Sequence, residues 1–220
     1  MSGSFESALE YQLATVKVLN GKGFGSGIVL DVAQGIIATC AHVVSSLNSG
    51  TVGTFLHGEA IPYTVIDRGF EDANDVAILK ADLSSMRDTW REIFTLRTSV
   101  IVSGEPIMLC GFPYLLGDKN LNPVLTSGIV STFPMSDQEL IIVSALLSPG
   151  NSGGPCFDGE GRLLGLAKAQ QLIGHVEVLT DRGKELRQIP SNYGFIVPID
   201  AVVALTRDNG ITLNAKREGT

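Results

Sequence analysis

The stretch that most restricts what this chain can become is Ser148-Pro149-Gly150-Asn151-Ser152-Gly153-Gly154-Pro155. Glycines crowded around one serine suit no core strand, because glycine inside an element costs conformational entropy and packs nothing. They suit a place where backbone must close on a ligand. With no side chain at Gly150, the amides of Gly150 and Ser152 are unobstructed and able to face a carbonyl oxygen as it becomes an oxyanion, which makes Gly150, Asn151 and Ser152 a candidate oxyanion-hole segment. Gly153 and Gly154 turn the chain sharply behind an exposed hydroxyl. Taken alone, the stretch reads equally well as a glycine-rich hairpin loop.

Two distant segments decide between those readings. A serine hydroxyl is a weak nucleophile unless a base takes its proton, and the base needs an acid to fix its tautomer and stabilise its positive charge. Thr39-Cys40-Ala41-His42 places a histidine at the end of the β-branched run Gly35–Thr39. Asp67, Glu71, Asp72 and Asp75 compete to be its partner, and Asp75 is preferred because the apolar strand Val76-Ala77-Ile78-Leu79 follows it directly and holds it at the rim of a core. The other three read as solvated loop carboxylates. His57 and His175 have no comparable context and read as surface or loop residues. The order His42, Asp75, Ser152 is one of the known chain orders for such a triad.

TCAHVV, DVAILK and GNSGGP, with GSGIVL before them and YGFIVPID after, resemble the chymotrypsin-fold serine proteases, specifically the HtrA/Deg-like branch. The likeness runs from about Val16 to about Ala204. It implies an all-β fold of two six-stranded antiparallel barrels, the first over about residues 14–95 and the second over about 100–205, with a tail at 206–220. It implies His42, Asp75 and Ser152 as catalytic residues of a serine endopeptidase. By position, Leu166, Ala167, Lys168 and Ala169 would form the strand that pairs with substrate backbone. Leu146 and Leu147 would lie at the floor of the specificity pocket. Leucine there, in place of a buried carboxylate, points to cleavage after small or medium aliphatic residues.

Composition sets the outer limits. At 220 residues the chain is long enough to bury a substantial core. A formal charge of −7 with no Lys/Arg cluster argues against nucleic acid as a partner. No apolar run approaches the ~18 residues of a membrane span, and no secretory leader opens the sequence, so a soluble cytoplasmic protein is expected. Cys40, Cys110 and Cys156 are an odd, irregular set that reads as buried small hydrophobes, not as a disulfide framework, redox switch or metal site. No cofactor or metal is expected. Gly21-Lys22-Gly23 superficially suggests a phosphate loop, but no Ser or Thr follows the lysine and a strand comes next, so nucleotide binding is rejected and the glycines at 21–27 are read as barrel-corner bends.

Residues 5–13 carry apolar residues (Phe5, Ala8, Leu9, Leu13) at helical spacing, predicting a short N-terminal helix that packs on a barrel or contacts a partner. Residues 81–100 read as the connection between barrels, with a helical turn around Ser85 to Ile93 and Trp90 packed between the halves. Asp158-Gly159-Glu160-Gly161 is a hairpin turn. Residues 170–192 form a long loop or hairpin, either a lid or a solvated insertion. Asn151 stands where zymogen-type relatives carry an Asp that pairs with a freed N-terminal amine, so activation is expected through loop ordering, ligand binding, an activating partner or homo-oligomer assembly. The sequence after residue 205 is too short and polar for a PDZ domain. The substrate is a protein or peptide. The rival readings are an inactive or latent binding module that a partner switches on, and a non-proteolytic esterase.

Overall fold

The structure is a computed structural model that describes residues 3–21, 23–45, 47–54, 60–69, 75–86, 95–114, 122–132, 140–180 and 183–218, with backbone alone over 3–7 and 169–192. In chain order the elements are α1 (Gly3–Ala14), β1 (Thr15–Leu19), β2 (Phe24–Asp31), β3 (Ile36–Thr39), β4 (Ser49–Thr54), β5 (Ala60–Gly69), β6 (Val76–Ala81), β7 (Thr95–Leu96), β8 (Pro106–Gly111), β9 (Val124–Thr132), β10 (Ile141–Ala145), β11 (Pro155–Asp158), β12 (Leu163–Thr180), β13 (Gly183–Pro198), α2 (Ile199–Asp208) and β14 (Lys216–Arg217). The first six strands close into an antiparallel barrel in the order β1-β2-β3-β6-β5-β4. A second barrel runs β11-β8-β9-β10-β13-β12 and is closed by β11 pairing with β12. The short strands β7 and β14 extend it in parallel at the β12 side.

The two-residue period of a strand explains how the barrels meet. On β2, Val29 points into the first barrel with Val16, Val18 and Ile37, whereas Ile28 and Leu30 point outward into the seam, where they join Phe157, Leu163 and Leu166 of the second barrel. β3 and β6 divide the same way: Ile37, Ala77 and Leu79 go inside, Ile36, Ala38, Val76 and Ile78 to the seam. These strands therefore read as unbroken apolar runs, being covered on both faces. Burying each large aliphatic side chain contributes roughly 1.5–3 kcal/mol, so the seam joins the halves firmly.

Several expectations need correction. The helix exists, but Leu9 is exposed and the buried face is Tyr11 and Ala14; Tyr11 stacks on Phe157 at 4.0 Å, so α1 packs on the second barrel. The glycines at 25 and 27 are not corner bends. They lie within β2, where a β-carbon at Gly25 would sit 2.7 Å from Val43 and 3.0 Å from the Ser152 carbonyl, so the strand has to be bare to let the Ser152 loop approach. Asp67 lies in β5, not in a loop, and accepts from Asn209 at 2.8 Å. After β13 the chain turns into helix α2, so the segment 199–208 ends the second barrel as a helix, not as a tail beginning at 206. The polar-looking tail packs Ile211, Leu213 and Ala215 against the seam and ties Asn214 to Asp31 at 3.0 Å. Residues 170–180 and 183–192 continue β12 and β13 as a paired ribbon, His175 opposite Gln188. The helical turn expected at Ser85 to Ile93 lies largely outside the described residues, as do Trp90, Lys22, His57, Glu71 and Asp72.

A charged cluster beneath the β11–β12 turn was also unforeseen. Arg97, only 6% exposed, donates to Asp158 at 2.8 Å, to both Glu105 oxygens at 2.8 and 2.9 Å, to the Val100 carbonyl and to Ser99. Arg162 bonds the same Asp158 at 2.7 Å and also reaches Glu218. Removing one member of a buried pair strands its partners, so Arg97→Met is expected to cost about 3–5 kcal/mol, read as a lower urea midpoint. Arg97→Lys recovers little, since an ammonium cannot reproduce the fork. Burial alone would raise the Asp158 carboxyl; hydrogen bonds from the Arg162 backbone and side chain, from Arg97 and from the Glu160 amide outweigh it and hold the group below its ordinary value. A depressed folded pKa stabilises above the unfolded carboxylate pKa of about 3.9 and is lost as pH falls through the folded value. The cluster therefore stabilises the protein at neutral pH and fails in acid below about pH 4.

Candidate active site

His42 sits on the short 3₁₀ turn Ala41–Val44 that follows β3, and Asp75 immediately precedes β6. Because β3 pairs with β6, Thr39 opposite Ala77, both residues emerge at one end of the first barrel. Asp75 grips the histidine twice: Nδ1 approaches Oδ2 at 2.6 Å, and the His42 backbone amide donates to Oδ1 at 2.9 Å. The carboxylate is nearly buried, with a side chain 10% exposed against 49% for the imidazole. Burial would raise its pKa. The hydrogen bonds from His42, with the charges of His42 and Lys168, overcome this and hold Asp75 below the usual carboxylate range. An ionised Asp75 can only accept, so Nδ1 carries the shared proton, and in the neutral imidazole Nε2 is then the acceptor.

Ser152 is held at the same seam by backbone geometry. Gly153 has φ +86°, and a β-carbon there would lie 2.1 Å from the Ser26 carbonyl and 2.2 Å from Thr39 Oγ1, so only glycine lets the loop lie against β2 and β3. Ser26 is the clasp: its amide donates to Ser152 O at 2.8 Å, its hydroxyl donates to Gly150 O at 2.7 Å, and that hydroxyl accepts the Phe112 amide at 2.9 Å. The Ala167 carbonyl accepts the Gly153 amide at 2.6 Å and the Cys40 thiol at 3.2 Å, linking the serine loop to the residues just before His42. Ser26 was missed in the sequence; its setting between two glycines inside an apolar strand was the available signal.

The Gly150 and Ser152 amides have no hydrogen-bond partner among the described residues, whereas Asn151 N donates to Ser148 O and Gly154 N to Asn151 O. Gly150 has φ +95°, conformational space that suits glycine. The Asn151 side chain is buried, with its carboxamide oxygen unpaired among the described residues. The Ser152 hydroxyl donates to the Lys168 carbonyl at 2.6 Å and makes no hydrogen bond to His42. Lys168 falls where the β12–β13 register shifts between Ala167 and Ala169, a bulge in the ladder. Leu166 and Ala167 are buried, and Ala169 pairs with Phe195 in the sheet. Leu146 is 62% exposed while Leu147 is packed in the second barrel's core.

Cys40, His42 and Asp75 present donor atoms within 4.8 Å of one another. This is a poor metal centre: burial and the neighbouring Asp75 raise the Cys40 thiol well above its ordinary pKa, so it stays a protonated donor, and His42 and Asp75 already satisfy each other. All three cysteines are free and buried, and burial pushes Cys110 up to about 12.

Two antiparallel barrels, with a His–Asp pair on one and a glycine-flanked serine on the other, define the trypsin fold class. Residues 25–166 match the trypsin-like peptidase domain, and the chain belongs to that family. It is similar to a probable periplasmic serine endoprotease, DegP-like, of Buchnera aphidicola: 29% identical over 188 residues, covering 83% of this chain and 35% of that protein. It is 28% identical over 190 residues to the chloroplastic protease Do-like 1 of Arabidopsis thaliana, covering 82% of this chain and 38% of that one. This is the HtrA/Deg-like branch that the motifs resemble. The chain spans well under half the length of these relatives. The serine endoprotease from Yersinia pestis has the same fold, with TM-score 0.70 at 21% identity over 95% of this chain and 67% of that chain.

Proposed function

We propose that this chain is a serine endopeptidase domain in which Ser152 attacks the scissile carbonyl, His42 Nε2 takes the hydroxyl proton, and Asp75 holds the imidazole in the required tautomer. The observation that carries this reading is the double hydrogen bond from His42 to a buried, ionised Asp75, set at the seam against which the Ser152 loop is clasped. As the carbonyl becomes tetrahedral, its oxygen receives the Gly150 and Ser152 amides. The intermediate then collapses as the imidazolium gives its proton to the leaving amine. Water hydrolyses the acyl-enzyme with His42 again as base. For the attack, the Ser152 hydroxyl turns from the Lys168 carbonyl to Nε2. That turn accompanies the entry of a substrate strand along β12, whose amide then donates to the vacated Lys168 carbonyl.

The substrate is a protein or peptide with an aliphatic residue before the scissile bond, met by the apolar surface at Leu146. One methylene in such a pocket changes discrimination by only about 1–3 kcal/mol, so the preference is broad. Mass spectrometry of cleaved peptide libraries is expected to show Val, Ala or Leu at that position; a profile dominated by Lys or Arg contradicts the assignment. The reaction itself is tested by a fluorophosphonate probe, which should label Ser152 with loss of the fluoride. Failure to label under any condition would leave only a binding module, and ester turnover without peptide turnover would identify an esterase.

A further inference from the structure

Substrate pairing beside Ser152, over Leu166 to Ala169, is what the family likeness implies. In this chain β12 does not stop there but runs on without a break to Thr180. At about 3.3 Å per residue, the stretch from Gln170 to Thr180 adds about 30 Å of strand. One edge of β12 pairs with β13 as far as Thr180 opposite Gly183. The other edge carries β11 only as far as Leu166 opposite Pro155, and meets β7 only at Leu163. From Gln170 to Thr180 this second edge pairs with no strand among the described residues. In an antiparallel ladder alternate residues turn both N–H and C=O to the same side, so the bare edge offers a donor and an acceptor at every second residue. Between Gln170 and Leu172 the register shift puts its extra residues on β13, from Gly194 to Pro190, and leaves β12 continuous. Ile173 is a bulge, after which the ribbon is regular from Gly174 opposite Ile189 to its end.

The ribbon's two strands differ in how they meet the hazard of an open edge. Proteins blunt such edges with proline and lysine. β13 has Pro190, which lacks an N–H, together with Lys184 and Arg187. From Gln170 to Thr180, β12 has no proline, lysine or arginine, one acid at Glu177, and the strand-forming Ile173, Val176 and Val178. The unguarded edge is the one continuous with the strand beside Ser152.

We propose that the outer edge of β12 from Gln170 to Thr180 is an extended substrate-binding edge, which takes by main-chain strand addition the residues lying well N-terminal to the scissile bond. The direction follows from the fold. β12 leads away from Ser152 as it runs to Thr180, so an antiparallel substrate strand cleaved at Ser152 lays its N-terminal flank along the ribbon. The inference rests on the endopeptidase reading above and narrows its substrate class: an extended, proline-free segment of about ten residues or more, read through its backbone.

The test uses peptides that share a valine at the cleavage point and carry about four to twelve residues of Ser, Thr and Val on its N-terminal side. One net hydrogen bond is worth about two- to tenfold, so kcat/KM should climb about 10–100-fold over that series. Lengthening the leaving side should add nothing. A single N-methyl group moved along the flank should erase the gain at every second position only, because alternate substrate amides face β12. Replacing residues 175–188 by Asn-Gly closes the ribbon with a two-residue turn at the Gly174–Ile189 pair, and the longest and shortest peptides should then be cleaved within about threefold of each other. No gain with length, a gain indifferent to N-methylation, or a gain that survives the shortened ribbon overturns the proposal. If the shortened protein does not fold, the alternation measured on the parent decides alone. A dimer in sedimentation that dissociates when the ribbon is shortened, with no dependence on peptide length, assigns the edge to a second copy and also overturns it. Should the parent neither hydrolyse peptides nor label, the endopeptidase reading fails separately. The edge is then decided by the Kd of the same peptides for the Ser152→Ala protein: tightening with length and the two-residue alternation support it, and their absence refutes it.

Discussion

Ser152→Ala is expected to lower peptide turnover by about 10⁵–10⁶-fold and to abolish fluorophosphonate labelling while leaving the fold intact. The size of the loss follows from the division of labour. Without the hydroxyl there is no covalent intermediate, and His42 and Asp75 have no proton to move for it. The Gly150 and Ser152 amides remain, so a residual rate above the uncatalysed reaction persists through oxyanion stabilisation and substrate binding. The structural cost is small because the loop is held by main-chain bonds, Gly153 N to Ala167 O at 2.6 Å and Ser26 N to Ser152 O at 2.8 Å, none of which uses the side chain. The hydroxyl's hydrogen bond to Lys168 O has a net worth of about 1 kcal/mol. Matched urea midpoints with extinguished hydrolysis would meet this expectation. Unchanged hydrolysis would remove Ser152 from the chemistry.

The candidate site can be read in the sequence because each of its parts is a short segment with its own local logic. His42 ends a β-branched strand, Asp75 begins an apolar one, and glycines surround Ser152. Strand pairing then does what a sequence cannot display: β3 against β6 sets the first two side by side. What escaped notice depends on contacts between residues far apart in the chain. Arg97 and Asp158 are 61 positions apart, and nothing in either neighbourhood announces a buried pair. Ser26 sits among glycines that read as bends, and only the Ser152 loop lying on it shows why Gly25 and Gly27 must be bare. Helical spacing at α1 suggested the wrong face, because the second barrel offers Phe157 to Tyr11 and nothing to Leu9. The tail looked polar in composition, yet alternate residues Ile211, Leu213 and Ala215 find apolar cover.

Asp75→Asn is the sharper probe of mechanism, because it changes one atom and keeps the shape. The Asn carbonyl can still accept the His42 backbone amide, so the 3₁₀ turn stays in place. The new NH₂ group, however, faces Nδ1 as a donor. The imidazole then presents a lone pair to residue 75 and its proton at Nε2, where the Ser152 proton has to go. The stabilising negative charge beside the imidazolium is lost as well. Loss of about 10⁴-fold in kcat is expected, with KM altered little, since Asp75 does not touch substrate. A second, independent signature lies in stability against pH. Asp75 has a depressed folded pKa, so its contribution is present above the unfolded carboxylate value of about 3.9 and disappears as pH falls through the folded one. The amide variant has no such titration. Parent and Asp75→Asn should therefore differ in urea midpoint at neutral pH and converge in acid. A variant that retains parental kcat would show that Asp75 neither orients His42 nor supports its charge, and the catalytic assignment would have to be rebuilt around another carboxylate.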